Sequence, residues 1–369
     1  MSYQNFDAEI YQKLFEIGRI NRDEILSRYP KILRRVGGYN LDEVVQEGDF
    51  NMAKFVVGSE GTLVTITEAK LRIVPNPKLK ALAVIHFNDL ISAMEATVVT
   101  LDLEPSAVEL IDSTIIRQAQ LSVQYSRMMD FMEGSPEALL LVELVDDSEV
   151  SLISRIDSLT QRMRQRNLGY SVRHFMNQED QARIWAIRKA GLGLMMSMPG
   201  DIKPLPFVED TAVSPEHLPK FIKRFDEIIK YHGSTAGFYG HASVGCLHIR
   251  PFLNLKLKDD VDRMVSISNQ ISDLVLEFGG AMSGEHGDGL VRSGWNEKMF
   301  GSAIYSAFRE IKNAFDPRGI MNPGKIVDSP PMTQNLRISP AYSTRNVPTK
   351  FSFSKEGGFA SAVEMCNGQ

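Results

Sequence analysis

Apolar residues recur at three- and four-residue spacing near the start of the chain. Phe6, Ile10, Leu14, Ile17 and Ile20 mark one face of a helix predicted over residues 6 to 28, which Pro30 stops. The pattern then changes. After Gly37-Gly38 and a turn-rich passage, AKFVVGSEGTLVTITEAKLRIVP holds two β-rich runs, broken at Gly58 and Gly61 and ended by Pro75, where a domain boundary is placed. From about residue 80, strand-like runs (LKALAVIHF, ALLLVELV, YSVRHF, PFVEDTAV) alternate with helical stretches near 89–98, 114–132, 149–167, 178–196 and 215–232. This alternation predicts an α/β or split-βαβ layered domain, one sheet with helices packed on it, and the chain is expected to be α+β, with a ferredoxin-like domain whose antiparallel sheet the helices cover. GFYGHASVGCLHIRPF reads as a hairpin around Ser243-Val244-Gly245-Cys246. A long helix over 258–278, closed by Gly279-Gly280, and another near 300–314 follow, and beyond Ile326 the chain turns to Ser, Pro, Asn and Thr, a linker composition.

At 369 residues, 43% hydrophobic and 24% charged, the chain has ordinary globular composition and room for two or three domains. A net charge of −5, with Lys and Arg scattered, lacks the basic footprint of a nucleic-acid binder. Cys246 and Cys366 are too few to staple a secreted domain, and the N-terminus shows no basic start followed by an apolar run, so a reducing cytoplasm is expected. No eighteen apolar residues run together, which removes a transmembrane helix and leaves peripheral contact with the inner membrane open.

The densest candidate chemistry is His241 with His248, and Glu285-His286 in a glycine-rich turn. In a hairpin centred between Val244 and Gly245, the two imidazoles face each other across the strands with Cβ atoms about 5 Å apart, which suits one divalent ion. Glu285 is the candidate third ligand, and the bland alternative is one capping and one core histidine. His286, beside that carboxylate, is a candidate general base, or a surface residue of a glycine loop. Arg188, after an apolar helical stretch, either forks onto a substrate carboxylate or makes a helix-surface salt bridge. GSEGT at 58–62 offers backbone N–H groups to a cofactor or is an ordinary turn, and no G-x-G-x-x-G follows a strand. Trp185 and Trp295 read as packing residues.

Taken in order, VVGSEGT, TEAKLRIVP, GHASVGCLH, SGEHGDG and FDPRGIMNPGKI resemble the FAD-linked oxidases of the vanillyl-alcohol oxidase type. Within them the set is most similar to the D-lactate, glycolate and D-2-hydroxyglutarate dehydrogenases, above all the large bacterial members with a following iron-sulfur module. The resemblance implies FAD contacts at Gly58, Ser59, Gly61, Thr62, Ile66 and Asn322. It implies a divalent metal, zinc or similar, on His241, His248 and Glu285, with His286 as base and Arg188, joined by Lys203 or Arg250, on the substrate carboxylate. It further implies oxidation of a D-2-hydroxy acid, with electrons passing to a quinone, an electron-transfer protein or the iron-sulfur module.

Three departures qualify the resemblance. Val244 and Cys246 stand where Asp and Asn are usual, Arg250 stands where Asn is frequent, and the glycine-rich pyrophosphate loop is absent. Residues 1–75 are therefore expected to be a remnant of the FAD-binding domain, 76–327 the cap domain, and 328–369 a linker with the opening of an iron-sulfur module at Cys366. A homo-oligomer, or a complex with the missing half of the FAD domain, is expected. Two rival readings stay open: a non-catalytic subunit or fragment that needs a partner, and a metal-dependent hydrolase using the same histidines and Glu285.

Overall fold

A computed structural model describes residues 3–366, with side chains from Asp7 onward, so the Phe6 side chain and residues 367–369 of EMCNGQ lie outside the described residues. The chain forms two compact units: residues 1–73, 210–213 and 268–337 in the first, and 74–209, 214–267 and 338–369 in the second.

The second unit is built on a seven-stranded antiparallel sheet. Its strands are β1 (Leu79–Phe87), β2 (Ala107–Asp112), β3 (Ala138–Asp146), β4 (Ser171–Phe175), β5 (Lys203–Pro204), β6 (Ala236–His241) and β7 (Cys246–Leu253), in the order β4-β1-β3-β2-β6-β7-β5. The first four, with helices Leu90–Leu101 and Glu149–Arg166, form a β-α-β-β-α-β unit in which β3 lies between β1 and β2. Both faces are apolar, so both are covered. Leu82, Val84, Leu139, Leu141 and Ile111 pack under helices Ser113–Leu121 and Gln178–Met196. Helices Leu90–Leu101, Glu149–Arg166 and Leu218–Tyr231 pack together on the other side. Tyr239 and Ile111 are cross-strand partners, as are His241 and Glu109, so β2 and β6 carry these side chains on the face of helix Gln178–Met196.

The first unit is helical. Helices Tyr3–Ile20, Arg22–Arg28, Asn296–Phe300 and Ser302–Phe315 bury Leu14, Ile17, Ile25, Phe300, Phe308 and Ile311. Tyr39 meets Phe308 edge-on at 5.5 Å. Gly38 sits at φ +70, and a Cβ there would lie 2.6 Å from the Phe308 ring, so only glycine lets the chain pass. The buried Lys312 ammonium donates to the carbonyls of Thr62 and Met321 and to Asp316, fastening the 58–62 turn and the 321 loop to one helix.

Several expectations need correction. The N-terminal helix is two, because the Asn21 side chain donates to the Ile17 carbonyl at 3.0 Å and ends the first. The 114–132 helix stops at Leu121, where Ser122 turns extended and accepts the Tyr125 N–H. AKFVV is a short helix, Met52–Val56, capped by the Asn51 side chain, and residues 64–73 form no strand although their apolar alternation is strand-like. PFVEDTAV is not a strand either. It makes one isolated bridge, Ala212 with Ala281, because the Asp210 carbonyl and carboxylate are engaged by residues 284–286. AVELID, unexpected, is β2.

The hairpin is present with a shifted register. Ala242–Val244 is a single 3-10 turn closed by Gly245 at φ +73, so His241 opposes Cys246, and His248 opposes Tyr239. The two histidines are diagonal neighbours rather than a facing pair, with ring centroids 5.3 Å apart.

Candidate functional site

In the first unit, the SGEHGDG turn is held from three directions. Ser283 and Gly284 enter it, and the Gly284 N–H donates to the Asp210 carbonyl at 2.7 Å. The fully buried Asp210 carboxylate accepts the N–H groups of Glu285 and His286 at 3.1 and 2.8 Å. On the far side the Glu60 carboxylate accepts the N–H groups of Asp288 and Gly289 at 2.6 and 2.9 Å. Gly287, at φ +92, leaves room for it, since a Cβ there would stand 2.9 Å from Glu60 Oε1. Asp288 completes the frame, accepting from the Gly38 N–H, the Ser283 hydroxyl and the Asn296 amide.

This frame presents Asp210, Glu285 and His286, each offering one donor atom within 4.8 Å of the others. His286 Nε2 lies 3.5 Å from Glu285 Oε1 and Nδ1 lies 3.8 Å from Asp210 Oδ1, and its side chain is 39% exposed. An imidazole between two carboxylates is a nitrogen and oxygen donor set of the kind borderline divalent ions take.

The GSEGT and NPGK segments also meet in this unit. Asn322, at φ 41, donates through Nδ2 to the Glu60 carbonyl at 2.6 Å. Gly58 and Gly61 hold φ +79 and +68, and a Cβ on Gly61 would meet no heavy atom within 4 Å, so open space lies beside that backbone. Ser59 and Thr62 are buried, Thr62 bonding to the Tyr39 hydroxyl at 2.8 Å, whereas Ile66 is exposed.

In the second unit, Glu109 of β2 is the hub. One carboxylate oxygen accepts from His241 Nδ1 at 2.6 Å, and the other takes both Nε and Nη2 of Arg188, at 2.9 and 2.7 Å. Burial pushes the Glu109 carboxyl up, but the His241 hydrogen bond and the Arg188 charge outweigh it and hold the carboxyl below its ordinary value. The Arg188 guanidinium also lies over the Tyr239 ring, 5.1 Å from its centroid, and Tyr239 lies 5.1 Å from the His248 ring. Gly240, at φ +135, sits where a Cβ would be 3.0 Å from the Cys246 carbonyl and the His248 N–H, so glycine lets β6 and β7 close beside the histidines.

The other two proposed substrate contacts are engaged within the protein. Arg250 pairs with Glu209, both buried, and the Lys203 ammonium donates to the Met198 carbonyl at 2.6 Å. The structure thus brings His241, His248, Arg188 and Arg250 onto β6, β7 and the flanking helix of the second unit. Glu285, His286, the 58–62 turn and Asn322 lie in the first.

Sequence reasoning missed Glu60, Glu109 and Asp210. Glu109 and Asp210 stand in apolar runs (AVELID, PFVEDTAV) that each hold a second carboxylate, and Glu60 stands between two turn glycines (GSEGT).

The family described as FAD linked oxidases, C-terminal domain, matches residues 76–326. The D-2-hydroxyglutarate dehydrogenase of Pantoea ananatis is 32% identical over 333 residues, covering 87% of this chain and 32% of that protein. Glycolate oxidase subunit GlcD of Bacillus subtilis is 25% identical, covering 82% of this chain and 60% of its own length. D-lactate dehydrogenase of Archaeoglobus fulgidus is 28% identical, covering 75% and 58%. The chain spans about a third of the length of the D-2-hydroxyglutarate dehydrogenases it matches.

Proposed function

The chain belongs to the FAD-linked oxidases, whose C-terminal domain it carries, and on that premise we propose that it takes part in flavin-dependent, metal-assisted oxidation of a D-2-hydroxy acid to the 2-oxo acid. The observation that carries this reading is the Asp210, Glu285 and His286 group, built on a turn whose backbone is fixed by Asp210 and Glu60. Its two carboxylates offer oxygen donors to a divalent ion such as zinc, with His286 beside them as the base. The resemblance adds His241 and His248 to Glu285 as the ligand set. For FAD, the support is the open backbone beside Gly61 and the bond between Asn322 and Glu60, with Gly58, Ser59, Thr62 and Ile66 as further contacts. Residues 1–75 are then the closing part of the flavin domain, 76–327 the substrate cap, and 328–369 the approach to an electron-accepting module.

Flavin, held at the 58–62 turn and Asn322, would supply a hydride acceptor, and a divalent ion on His241, His248 and Glu285 would supply a Lewis acid for the substrate hydroxyl. His286 removes the hydroxyl proton, and the carboxylates of Asp210 and Glu285 on either side offset the charge the ring gains. Arg188, joined by Lys203 or Arg250, receives the substrate carboxylate, and the positive charge of Arg250 favours a substrate with a second one, as in the 2-hydroxyglutarate class. A quinone, an electron-transfer protein or an iron-sulfur module would take up the electrons. No helix among the described residues is long and apolar enough to cross a membrane.

Calorimetric titration with zinc and manganese tests the ligand set. Wild-type protein is expected to bind one ion, and Glu285→Gln or His248→Ala to weaken binding at least tenfold, in line with the roughly 10- to 100-fold cost of disturbing a metal's surroundings. Unchanged affinity in both variants contradicts the set.

A second reading, that the chain works only with a partner polypeptide, is favoured by residues 63–73. They take part in no backbone–backbone hydrogen bond among the described residues, and Ile66, Leu71 and Ile73 are 63%, 80% and 90% exposed. An extended apolar run with its backbone groups unpaired is a ready edge for strand addition. Gel filtration distinguishes the cases: a defined complex supports the partner reading, and a flavin-binding monomer opposes it.

A further inference from the structure

The carboxylate of Glu109 accepts from two groups, one on each oxygen. Arg188 is donor-only, and it faces Glu109 with Nε and Nη2 at 2.9 and 2.7 Å. His241 presents Nδ1 at 2.6 Å to the other oxygen. An ionised carboxylate is acceptor-only, so His241 Nδ1 must carry the proton and the ring's lone pair falls on Nε2. The pair is 132 residues apart in sequence and is joined by β2 and β6, where Glu109 and His241 are register partners. Glu109 and the Arg188 side chain are close to nine-tenths buried, and the guanidinium is further fixed over the Tyr239 ring.

We infer that Glu109 is a positioning residue: by holding Arg188 with one oxygen and His241 Nδ1 with the other, it fixes the His241 tautomer that exposes Nε2 to a divalent cation. The inference rests on the reading of His241 as a ligand, and it links that ligand to the arginine proposed for substrate. A metal-bound imidazole whose second nitrogen donates to a carboxylate is more basic and better oriented than one left to rotate.

The isosteric change Glu109→Gln gives a sharp consequence. Arg188 accepts nothing, so the amide oxygen must turn toward the guanidinium and the NH2 group toward His241. Nδ1 is then forced to accept, the proton moves to Nε2, and the lone pair a metal needs is lost. Removing the arginine as well lets the amide rotate and accept from Nδ1 again, so the double variant Glu109→Gln with Arg188→Met restores the original tautomer.

The test is long-range proton–nitrogen NMR of the His241 ring at about pH 8, where a free imidazole is neutral. Zinc calorimetry on the same full-length proteins accompanies it. Wild type is expected to show protonated Nδ1, Glu109→Gln protonated Nε2 with affinity roughly 10- to 100-fold weaker, and the double variant recovery of both. A merely structural role for Glu109 predicts no such rescue. Protonated Nε2 in the wild type, which needs no variant to fold, overturns the inference, as does a Glu109→Gln protein with wild-type tautomer and affinity. If wild type takes up no ion, the ligand reading fails, and the tautomer measurements still decide what Glu109 does.

Discussion

The buried carboxylate of Asp210 accepts the backbone N–H of His286 at 2.8 Å, although the two are 76 residues apart. The same oxygen takes the Glu285 N–H at 3.1 Å, so one side chain sets the turn that aims both candidate functional groups. Asp210→Ala leaves two partly buried donors without their acceptor, at about 1–3 kcal/mol each. Urea unfolding is expected to show a loss of about 2–6 kcal/mol for the two together, with loss of zinc binding, and unchanged stability contradicts the assignment.

His286→Ala is expected to lower turnover by roughly 10²- to 10⁴-fold, the usual contribution of a general base. Bound metal, measured by elemental analysis, should stay at the wild-type level, because the base reading places the ion on other side chains. Metal lost in proportion to activity would make His286 a ligand instead.

Gly287→Ala tests the other side of the turn. The residue holds φ +92 and its added Cβ would meet Glu60 Oε1 at 2.9 Å, so the Glu60 bonds to Asp288 and Gly289 must shift. The backbone strain costs about 1–3 kcal/mol. A midpoint of thermal unfolding equal to wild type would show that Glu60 has room to move.

Burial raises the Asp112 carboxyl to about 6, against the N–H groups of Phe238, Ile115 and Thr114 that favour its charged form. The folded protein therefore holds this proton more tightly than the unfolded chain. The resulting stability is fully present below the unfolded value near 4 and is lost as pH rises through about 6. Between about pH 4 and 7 the balance between wild type and Asp112→Asn should shift by about 2 kcal/mol in favour of Asn. Urea unfolding of both proteins across that range checks it, and a constant difference would contradict it.

Residues with strong periodicity were legible in the sequence. Apolar residues at three- and four-residue spacing (Leu218, Phe221, Ile222, Phe225, Ile229) placed helix Leu218–Tyr231, and two apolar runs about a small-residue centre placed the β6–β7 hairpin. The His241–His248 register was not legible, because a 3-10 turn centred one residue earlier shifts the pairing by two and sets His241 against Cys246. Glu109 and Asp210 were hidden for a different reason. Their partners lie 75 to 132 residues away, and nothing in a local window distinguishes a hub carboxylate from a solvated one. Residues 64–73 read as strand because alternation reports a face suited to pairing, and pairing needs a neighbour that the described chain does not supply.

Anaerobic mixing of the flavin-loaded protein with D-2-hydroxyglutarate, followed by the absorbance of oxidised flavin, tests the proposed chemistry most directly. The absorbance is expected to fall as 2-oxo acid forms, and to fall more slowly when the substrate carries deuterium at C2. Unchanged flavin absorbance with D-2-hydroxyglutarate, D-lactate and glycolate alike, while a metal-dependent hydrolysis proceeds without flavin, would contradict the oxidoreductase account.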